Sequence, residues 1–306
     1  MPITMKFGGY QPPASIHNRA ARRFGELLEQ KLGDRIAFEL IGSVLDLGRP
    51  SGDLPVMVER GELAFCYMST VRFTAWVPEL QLLELPFVVR DRRTAWAALD
   101  GRLGELYTRR LHAATPWRVL GLWDNGFRHL TNRVRPIHRP QDCRGLRIRT
   151  QMSELHGEVF RALGFVPIAV DIKQFVQDIA GDVFDAHDNP LTNIYTFGVH
   201  RYHRYITLTG HFFGASFMIA NERQYRSWPA EVQSAVDEAA LQATALQRQL
   251  AASEDRDVLA RLGPPGNDVT QLAADEHAAF VAAVQPVLAR YRARLDPALF
   301  AALEHR

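Results

Sequence analysis

The sequence contains no uninterrupted apolar run of about eighteen residues, which is the length that a transmembrane helix needs. The first ten residues, MPITMKFGGY, also lack the charged start and the apolar stretch of a secretory signal peptide. A membrane-spanning chain is therefore excluded. We expect either a cytosolic protein or an exported one whose signal peptide is not part of this sequence.

Cysteine is scarce, because Cys66 and Cys143 are the only two. Cys66 lies inside the apolar segment AFCYM and is most simply a small buried hydrophobic residue. Cys143 lies in a predicted loop before Gly145, and a bond between the two cysteines would join two different βα segments. We therefore expect no disulfide, and the cysteines do not decide the redox compartment.

Lysine is scarce as well, since arginine supplies all the basic residues except Lys6, Lys31 and Lys173. The net charge is only +2, and the basic residues are spread along the chain. A nucleic-acid-binding protein would carry a basic cluster or stripe. We therefore expect no nucleic-acid partner.

The common catalytic and cofactor-binding motifs are missing: the sequence has no G-x-S-x-G, P-loop, G-x-G-x-x-G or H-E-x-x-H. His200, His203 and His211 could suggest a metal site, but they fall in a predicted loop and strand, without a fourth ligand. The acidic stretch 182–189 lacks the spacing of a calcium-binding loop. We expect no metal and no cofactor, and an enzyme becomes the weaker hypothesis.

Alternating strand and helix patterns are what the chain does contain. RVLGLWDNG (118–126) is predicted to be a strand, and a longer one is predicted at 206–221. The spacing of apolar residues predicts a helix from 230 to about 259 and another that is kinked or broken at Pro286. At 306 residues the chain exceeds the size at which single cores usually split, so we expect two α/β lobes.

The stretch from Gly145 to Pro190 predicts strand, helix, strand, helix and strand in close succession. It begins with GLRIRT (145–150), which alternates apolar and polar residues with the period of a strand. Two βα units in tandem imply a parallel sheet, in which ligands bind beyond the carboxyl ends of the strands. Arg149 and Asn189 are predicted to lie at two of these ends.

Arg149 has two interpretations. It is either a strand-end arginine that is solvated or paired with one of Asp182, Asp185 and Asp188, which composition alone favours, or a clamp whose planar guanidinium binds a ligand carboxylate. Asn189, held by the following proline, would add an amide. Arg128 is predicted just past a strand end, either as an ion-pair residue or as a second ligand-facing cation. Arg72, in the turn STVRF, is expected to be structural.

Several segments follow one another in a characteristic order: MKFGGY, ERGELAFCYMSTVRF, LELPFVV, DNGFRHLTN, GLRIRT, LGFVP and VFDAHDNP. In this order they resemble the solute-binding proteins of tripartite ATP-independent periplasmic (TRAP) transporters, the DctP-like family. No single segment is specific, but their order over most of the chain is a strong indication.

The resemblance implies an α/β, two-lobe fold of the type II periplasmic-binding-protein kind, with an interlobe cleft, a hinge strand at 206–221 and a long helix that spans both lobes. Lobe I would comprise residues 1–124 and about 213–250, and lobe II residues 125–212 and about 251–306. The protein would be a periplasmic receptor, not an enzyme. It would bind an organic acid anion and deliver it to the TRAP membrane permease subunits.

The resemblance also implies site residues. Arg149 matches the family's carboxylate-binding arginine, Asn189 its asparagine before proline, and Arg128 a second basic contact. The other residues expected to bind the ligand are Tyr10, Ser69, Met152, Ile172 and Phe213.

Ile172 and Met152 stand where many relatives carry an aromatic and a more polar residue. This departure predicts a less polar cleft wall, which would suit a monocarboxylate with an apolar or aromatic tail. Two other classes of protein stay open. One is an α/β enzyme that holds a substrate acid with Arg149, and the other is the ligand-binding ectodomain of a sensor.

Overall fold

The computed structural model describes residues 2–304. Its helices and strands alternate along the chain in this order: β1 (Ile3–Gly8), α1 (Ile16–Leu32), β2 (Ile36–Ile41), α2 (Leu54–Glu59), β3 (Phe65–Ser69), α3 (Arg92–Asp100), α4 (Arg102–Ala114), β4 (Trp117–Asn132), β5 (Arg147–Thr150), α5 (Glu154–Ala162), β6 (Val166–Ala169), α6 (Ile172–Asp178), β7 (Ala186–Pro190), α7 (Leu191–Thr196), β8 (Tyr205–Asn221), α8 (Glu222–Ser227), α9 (Ala230–Leu259), β9 (Asp268–Gln271), α10 (Ala274–Arg292) and α11 (Pro297–Glu304). Short 3-10 turns lie between several of them.

The strands form one nine-stranded sheet in the order β2-β1-β3-β8-β4-β7-β5-β6, and β9 pairs with β8. β1 runs parallel to β2 and β3, and β5 runs parallel to β6 and β7. The two long strands, β4 and β8, are antiparallel to each other over almost their whole length, from Trp117 opposite Asn221 to Asn132 opposite Tyr205. They therefore carry the sheet from one half of the molecule to the other.

Each half of the sheet has its own covering helices, which gives the two-lobe α/β fold that the sequence predicts. One lobe is built on β2, β1 and β3, and the other on β7, β5 and β6. α9 packs against α1, β4 and α7, so this single helix touches both halves. Its bounds agree with the helix predicted from residue 230, and β8 agrees with the predicted long strand.

Local sequence explains the elements that position the site. β3 is buried at every position, as its continuous apolar run predicts for a strand covered on both faces. The side chain of Ser153 caps α5 and that of Asp171 caps α6, by accepting hydrogen bonds from the backbone N–H groups of His156 and Lys173. These caps fix where the chain leaves β5 and β6.

One boundary differs from the prediction, and one predicted alternative is excluded. β4 does not end at Gly126 but continues to Asn132, because a β-bulge between Asp124 and Gly126, where Gly126 has φ of +94°, absorbs the irregularity and lets pairing with β8 resume. Arg128 therefore lies inside a strand and not beyond its end. α10 is one continuous helix through Pro286, so of the two alternatives predicted there, a kink or a break, the break does not occur.

Three further features of the structure concern its cysteines, the length of its helices and its possible metal ligands. Cys66 and Cys143 are both buried and free. No helix within residues 2–304 is long and apolar enough to cross a membrane. In the same part of the chain no three or more His, Cys, Asp or Glu side chains are grouped so that they could hold a metal ion.

Candidate functional site

A cavity lies between the two lobes, at the strand ends of β3, β5 and β7. All the residues predicted to bind ligand line it, except Phe213. The complete lining consists of Tyr10, Ser51, Met68, Ser69, Arg72, Asn125, Arg128, Arg149, Gln151, Met152, Ile172, Asn189, Asn193 and Phe197.

Adjacent strands bring three of the predicted residues together. Arg149 lies on β5, and Asn189 lies on the neighbouring β7, where it pairs with His129 of β4. Arg128 precedes His129 on β4 and is paired with Pro190. Because β5 and β7 are parallel, their carboxyl ends meet at the same edge of the sheet, where such folds bind their ligands.

Arg149 is almost fully buried, at 4% exposure, yet it has no carboxylate partner among the described residues. Its Nε and Nη2 atoms donate to the carbonyl oxygen of Val170, at 3.1 and 2.8 Å, and the ring of Phe175 lies 5.7 Å from its guanidinium. Burial, and next the charge of Arg128, lower the pKa of Arg149 to about 10. The group stays charged at neutral pH. A buried cation of this kind is energetically unfavourable unless an anion pairs with it.

Arg128 has a different environment, because its carboxylate partner is already present. Its Nε donates to the side chain of Asp188, and its Nη2 donates to the backbone oxygen of Asp188 at 2.7 Å. Burial would raise the pKa of Asp188, but Arg128 and His211 hold it well below its usual range. Arg128 also donates from Nη1 to Asn189 Oδ1 at 3.2 Å and so orients that amide.

Two of the three aspartates predicted as alternative partners of Arg149 are paired with other arginines, and the third, Asp182, is exposed and forms no ion pair with Arg149 among the described residues. Asp188 is paired with Arg128, and Asp185 forms a two-pronged ion pair with Arg147, at 2.9 and 2.8 Å. Side chains alternate between the two faces of a strand, so Arg147 and Arg149 lie on the same face of β5, but Arg147 is at its outer start. The position along the strand, and not the residue type, separates the two arginines.

The opposite wall of the cavity is formed by residues that follow β1 and β3. Tyr67 holds the chain after β1, because its hydroxyl accepts from the backbone N–H groups of Tyr10 and Gln11, at 3.3 and 3.2 Å, and donates to Asn18 Oδ1 at 3.1 Å. Ser69 ends β3, and its buried Oγ has no hydrogen-bond partner within the described part of the chain. This wall offers hydroxyl groups to the cavity.

Phe213 lies outside the cavity, contrary to the prediction. It is buried on β8 opposite Phe127, and the two rings contact each other with centroids 5.2 Å apart. Phe127 and Arg128 are neighbours on β4, so their side chains point to opposite faces of the sheet. Phe213 shares the face of Phe127, which explains why it misses the cavity that Arg128 lines.

Several lining residues were not predicted to bind ligand. Arg72, expected to be structural, both lines the cavity and forms an ion pair with Asp171. Asn125 lies at the β4 bulge, and the amide nitrogen of Asn193 on α7 lies 3.4 Å from both Asn125 Oδ1 and Asn189 Oδ1. The signals were present, because Asn193 follows Asn189 by one helical turn and Asn125 precedes the bulge glycine.

Two α/β lobes with a polar cavity between them are typical of receptors that enclose a small solute. The comparisons with known proteins give the family. Residues 7–294 match the family DctP, "Bacterial extracellular solute-binding protein, family 7". Because this match spans nearly the whole chain, the protein belongs to that family, which consists of extracellular receptors and not of enzymes. The predicted family, fold and periplasmic localisation are thereby confirmed.

Individual relatives agree with the assignment. The 2,3-diketo-L-gulonate-binding periplasmic protein YiaO of Escherichia coli K12 is 26% identical over 270 residues, which cover 87% of this chain and 80% of the relative. The sugar acid binding protein DctPAm of Advenella mimigardefordensis, solved with galactonate, has a TM-score of 0.94 at 22% identity and covers 99% of this chain and 98% of its own. A TRAP periplasmic solute binding protein of Sulfurospirillum deleyianum, solved with succinate, has a TM-score of 0.93 at 23% identity, with 100% and 99% coverage.

Proposed function

We propose that this protein captures a small organic acid between its lobes, binds the carboxylate through Arg149, and delivers the acid to the membrane subunits of a TRAP transporter. The single observation that carries the proposal is the environment of Arg149, a buried guanidinium that lines the cavity and has no carboxylate partner among the described residues. The acids named for the relatives, a keto sugar acid, galactonate and succinate, all carry a carboxylate, which supports the same class of ligand here.

Arg149 is suited to this role by its remaining donors. Its Nε and one N–H of Nη2 are used by Val170, so Nη1 and the other N–H of Nη2 stay available on the side of the guanidinium away from Val170. A planar pair of N–H groups matches the two oxygens of a carboxylate. Asn189, oriented by Arg128, lies beside this position and would donate to the same ligand group.

The remainder of the lining supports a compact acid with polar substituents. Ser69 and Asn125 present a hydroxyl and an amide, and Asn193 Oδ1 is buried without a partner among the described residues. Ile172 and Met152 do line the cavity, as the sequence predicted for a less polar wall, but polar side chains outnumber apolar ones. We therefore favour a hydroxy or keto acid over an acid with an aromatic tail.

The lobe boundaries are part of the proposal. We assign residues 1–124 and about 213–250 to lobe I, and 125–212 and about 251–306 to lobe II. β4 and β8 cross between these parts, and α9 packs on elements of both, which supports a hinge at the long strands. Closure of the lobes would remove water from the cavity and strengthen the charged hydrogen bonds inside it.

The test is to replace Arg149 with Ala and with Lys and to measure ligand binding by calorimetry. The ligand comes from a thermal-shift screen of organic acids, neutral sugars and amines. Loss of one partner of a buried charged pair costs about 3–5 kcal/mol, so R149A should lose about two to almost four decades of affinity. R149K keeps the charge but lacks the planar guanidinium that donates two parallel hydrogen bonds to a carboxylate, so it should also bind weakly.

Arg147→Ala is the matched control, because Arg147 lies on the same strand but pairs with Asp185 outside the cavity. R147A should bind the acid as the wild type does. The melting temperature of ligand-free R149A should stay close to that of the wild type. A neutral sugar or an amine as the best ligand, or an R149A variant that melts many degrees lower and still binds the acid, would contradict the proposal.

A further inference from the structure

We propose that Asp171 restricts tight binding to acids with one negative charge. Asp171 pairs with Arg72 and neutralises it, so Arg72 is not available to a second carboxylate of the ligand. This inference rests on the proposed function, since it concerns the same cavity. It adds a specificity-determining residue that does not itself line the cavity.

Three arginines line the cavity, and they differ in whether an anion is already present. Arg128 is paired with Asp188, and Arg72 is paired with Asp171. Arg149 is the one without a carboxylate partner in residues 2–304. The lining itself includes no aspartate or glutamate. The cavity therefore has an excess of one positive charge, which one ligand carboxylate neutralises.

Asp171 is held firmly in this position. One of its carboxylate oxygens accepts from Ser51 Oγ at 2.7 Å and from Arg72, and the other accepts from the backbone N–H groups of Ser51 and Lys173, at 3.3 and 3.0 Å. Burial would raise the pKa of Asp171, but these hydrogen bonds and the charge of Arg72 lower it. The carboxylate is thus ionised at neutral pH, and it cancels the charge of Arg72.

These contacts also cross between the lobes. Ser51 and Arg72 follow β2 and β3 of the first lobe, whereas Asp171 caps α6 of the second. Asp171 reaches Arg72 only when the lobes are close together. A ligand with a second carboxylate would have to compete with Asp171 for Arg72, or be enclosed with an uncompensated negative charge. Both possibilities weaken diacid binding in the closed form.

Asp171→Asn separates the charge from the structural role. Asparagine is a favoured N-cap residue, and it keeps a side-chain oxygen that can cap the helix. It cannot neutralise Arg72, so the cavity gains a second available cation. Asp182→Asn is the matched control, because it removes one negative charge from an exposed position of the same lobe that does not line the cavity.

The probes are pairs of acids that share a skeleton and differ by one charge: glycerate and tartronate, succinamate and succinate, galactonate and galactarate. Calorimetry of the full chain gives the ratio of the diacid Kd to the monoacid Kd for each pair that binds. In the wild type and in D182N we expect the diacid to bind at least tenfold more weakly. In D171N we expect the ratio to fall at least tenfold, and Arg72→Gln in the D171N background should restore it.

Distinct outcomes separate the two proposals. A wild type that binds the diacid of a pair as tightly as the monoacid, or a ratio that D171N leaves unchanged, would overturn the role of Asp171 while acid binding through Arg149 stands. If no acid in the thermal-shift screen binds to the folded wild-type protein, the proposed function fails, and this inference fails with it.

Discussion

The two walls of the cavity are both polar, but they differ in charge. The wall from β4, β5 and β7, which we call the charged wall, carries Arg128, Arg149 and Asn189. The wall that follows β1 and β3, which we call the neutral wall, presents Tyr10 and Ser69, and its one arginine is cancelled by Asp171. Behind the neutral wall, buried polar groups are also kept uncharged.

His17 is the clearest example of such a group. It is fully buried, neither ring nitrogen has a hydrogen-bond partner in the described part of the chain, and its ring lies 5.0 Å from that of Tyr67. Burial lowers the pKa of His17 to about 3, so the ring is neutral at physiological pH. The comparison teaches that, among the described residues, the arginine without a carboxylate partner lies on the charged wall, whereas the neutral wall presents hydroxyl groups and an arginine that is already neutralised.

The largest effect is expected from breaking the charged wall at Arg128. Arg128→Met leaves Asp188 buried without its main partner, which should lower the free energy of unfolding by about 3–5 kcal/mol. Denaturant unfolding of the ligand-free protein measures this effect. The double variant R128M/D188N should recover much of the loss, because neither charge is then left alone.

The same experiment distinguishes a structural arginine from a ligand contact. If R128M unfolds at the wild-type denaturant concentration but no longer binds the acid, Arg128 acts on the ligand directly. The difference between the two arginines of the charged wall would then disappear. The outcome we expect is the reverse of that for R149A, which should lose binding and keep its stability.

An intermediate effect is expected from acid. Since the pKa of His17 is lower in the folded protein than its ordinary value near 6.5, the unfolded chain takes up the proton first, and stability falls as the pH drops below about 6.5. For each pH unit below this value, the free energy of unfolding falls by up to about 1.4 kcal/mol per such histidine. Burial lowers the pKa of His129 and His203 to about 3 as well, so they add to the same slope.

His17→Phe keeps an aromatic ring against Tyr67 but cannot titrate. Between pH 7 and pH 5 this variant should lose about 2 kcal/mol less unfolding free energy than the wild type. Replacement of the exposed His112 by Gln serves as the control and should leave the slope unchanged. If the stability of H17F fell with pH as steeply as that of the wild type, the pH dependence would not come from His17, and the lowered pKa of this residue would be contradicted.

The smallest effect is expected at the neutral wall itself. Ser69→Ala removes a buried hydroxyl that has no partner among the described residues, so the ligand-free protein should be as stable as the wild type. If the hydroxyl bonds to the ligand, the binding free energy should weaken by about 0.5–1.5 kcal/mol, or roughly twofold to twelvefold in affinity. Ser216→Ala is a close control, since Ser216 pairs with Ser69 across the sheet but does not line the cavity. Equal binding by both variants would remove Ser69 from the site.

Much of the fold was predictable, because it follows from local patterns. The period of two in GLRIRT, the caps at Ser153 and Asp171 and the spacing of apolar residues after Ala230 specify strands and helices without knowledge of the rest of the chain. The extension of β4 beyond Gly126 was missed, because a bulge depends on pairing with a distant strand and has no local signal except the glycine. The position of Phe213 was missed for a related reason, since the face of β8 that it occupies is set by its register against β4.

By itself, the sequence determined the order of the βα units, the family and the position of Arg149 near the carboxyl end of a strand, because these depend on residue types and their spacing. Only the tertiary structure decided which of the three arginines that line the cavity has no carboxylate partner among the described residues. Arg128 meets Asp188 across 60 positions of sequence, and Arg72 meets Asp171 across 99. Such pairs form only where the sheet and the two lobes bring distant side chains within a few ångströms, and the strength of a charge interaction depends on that distance and on burial.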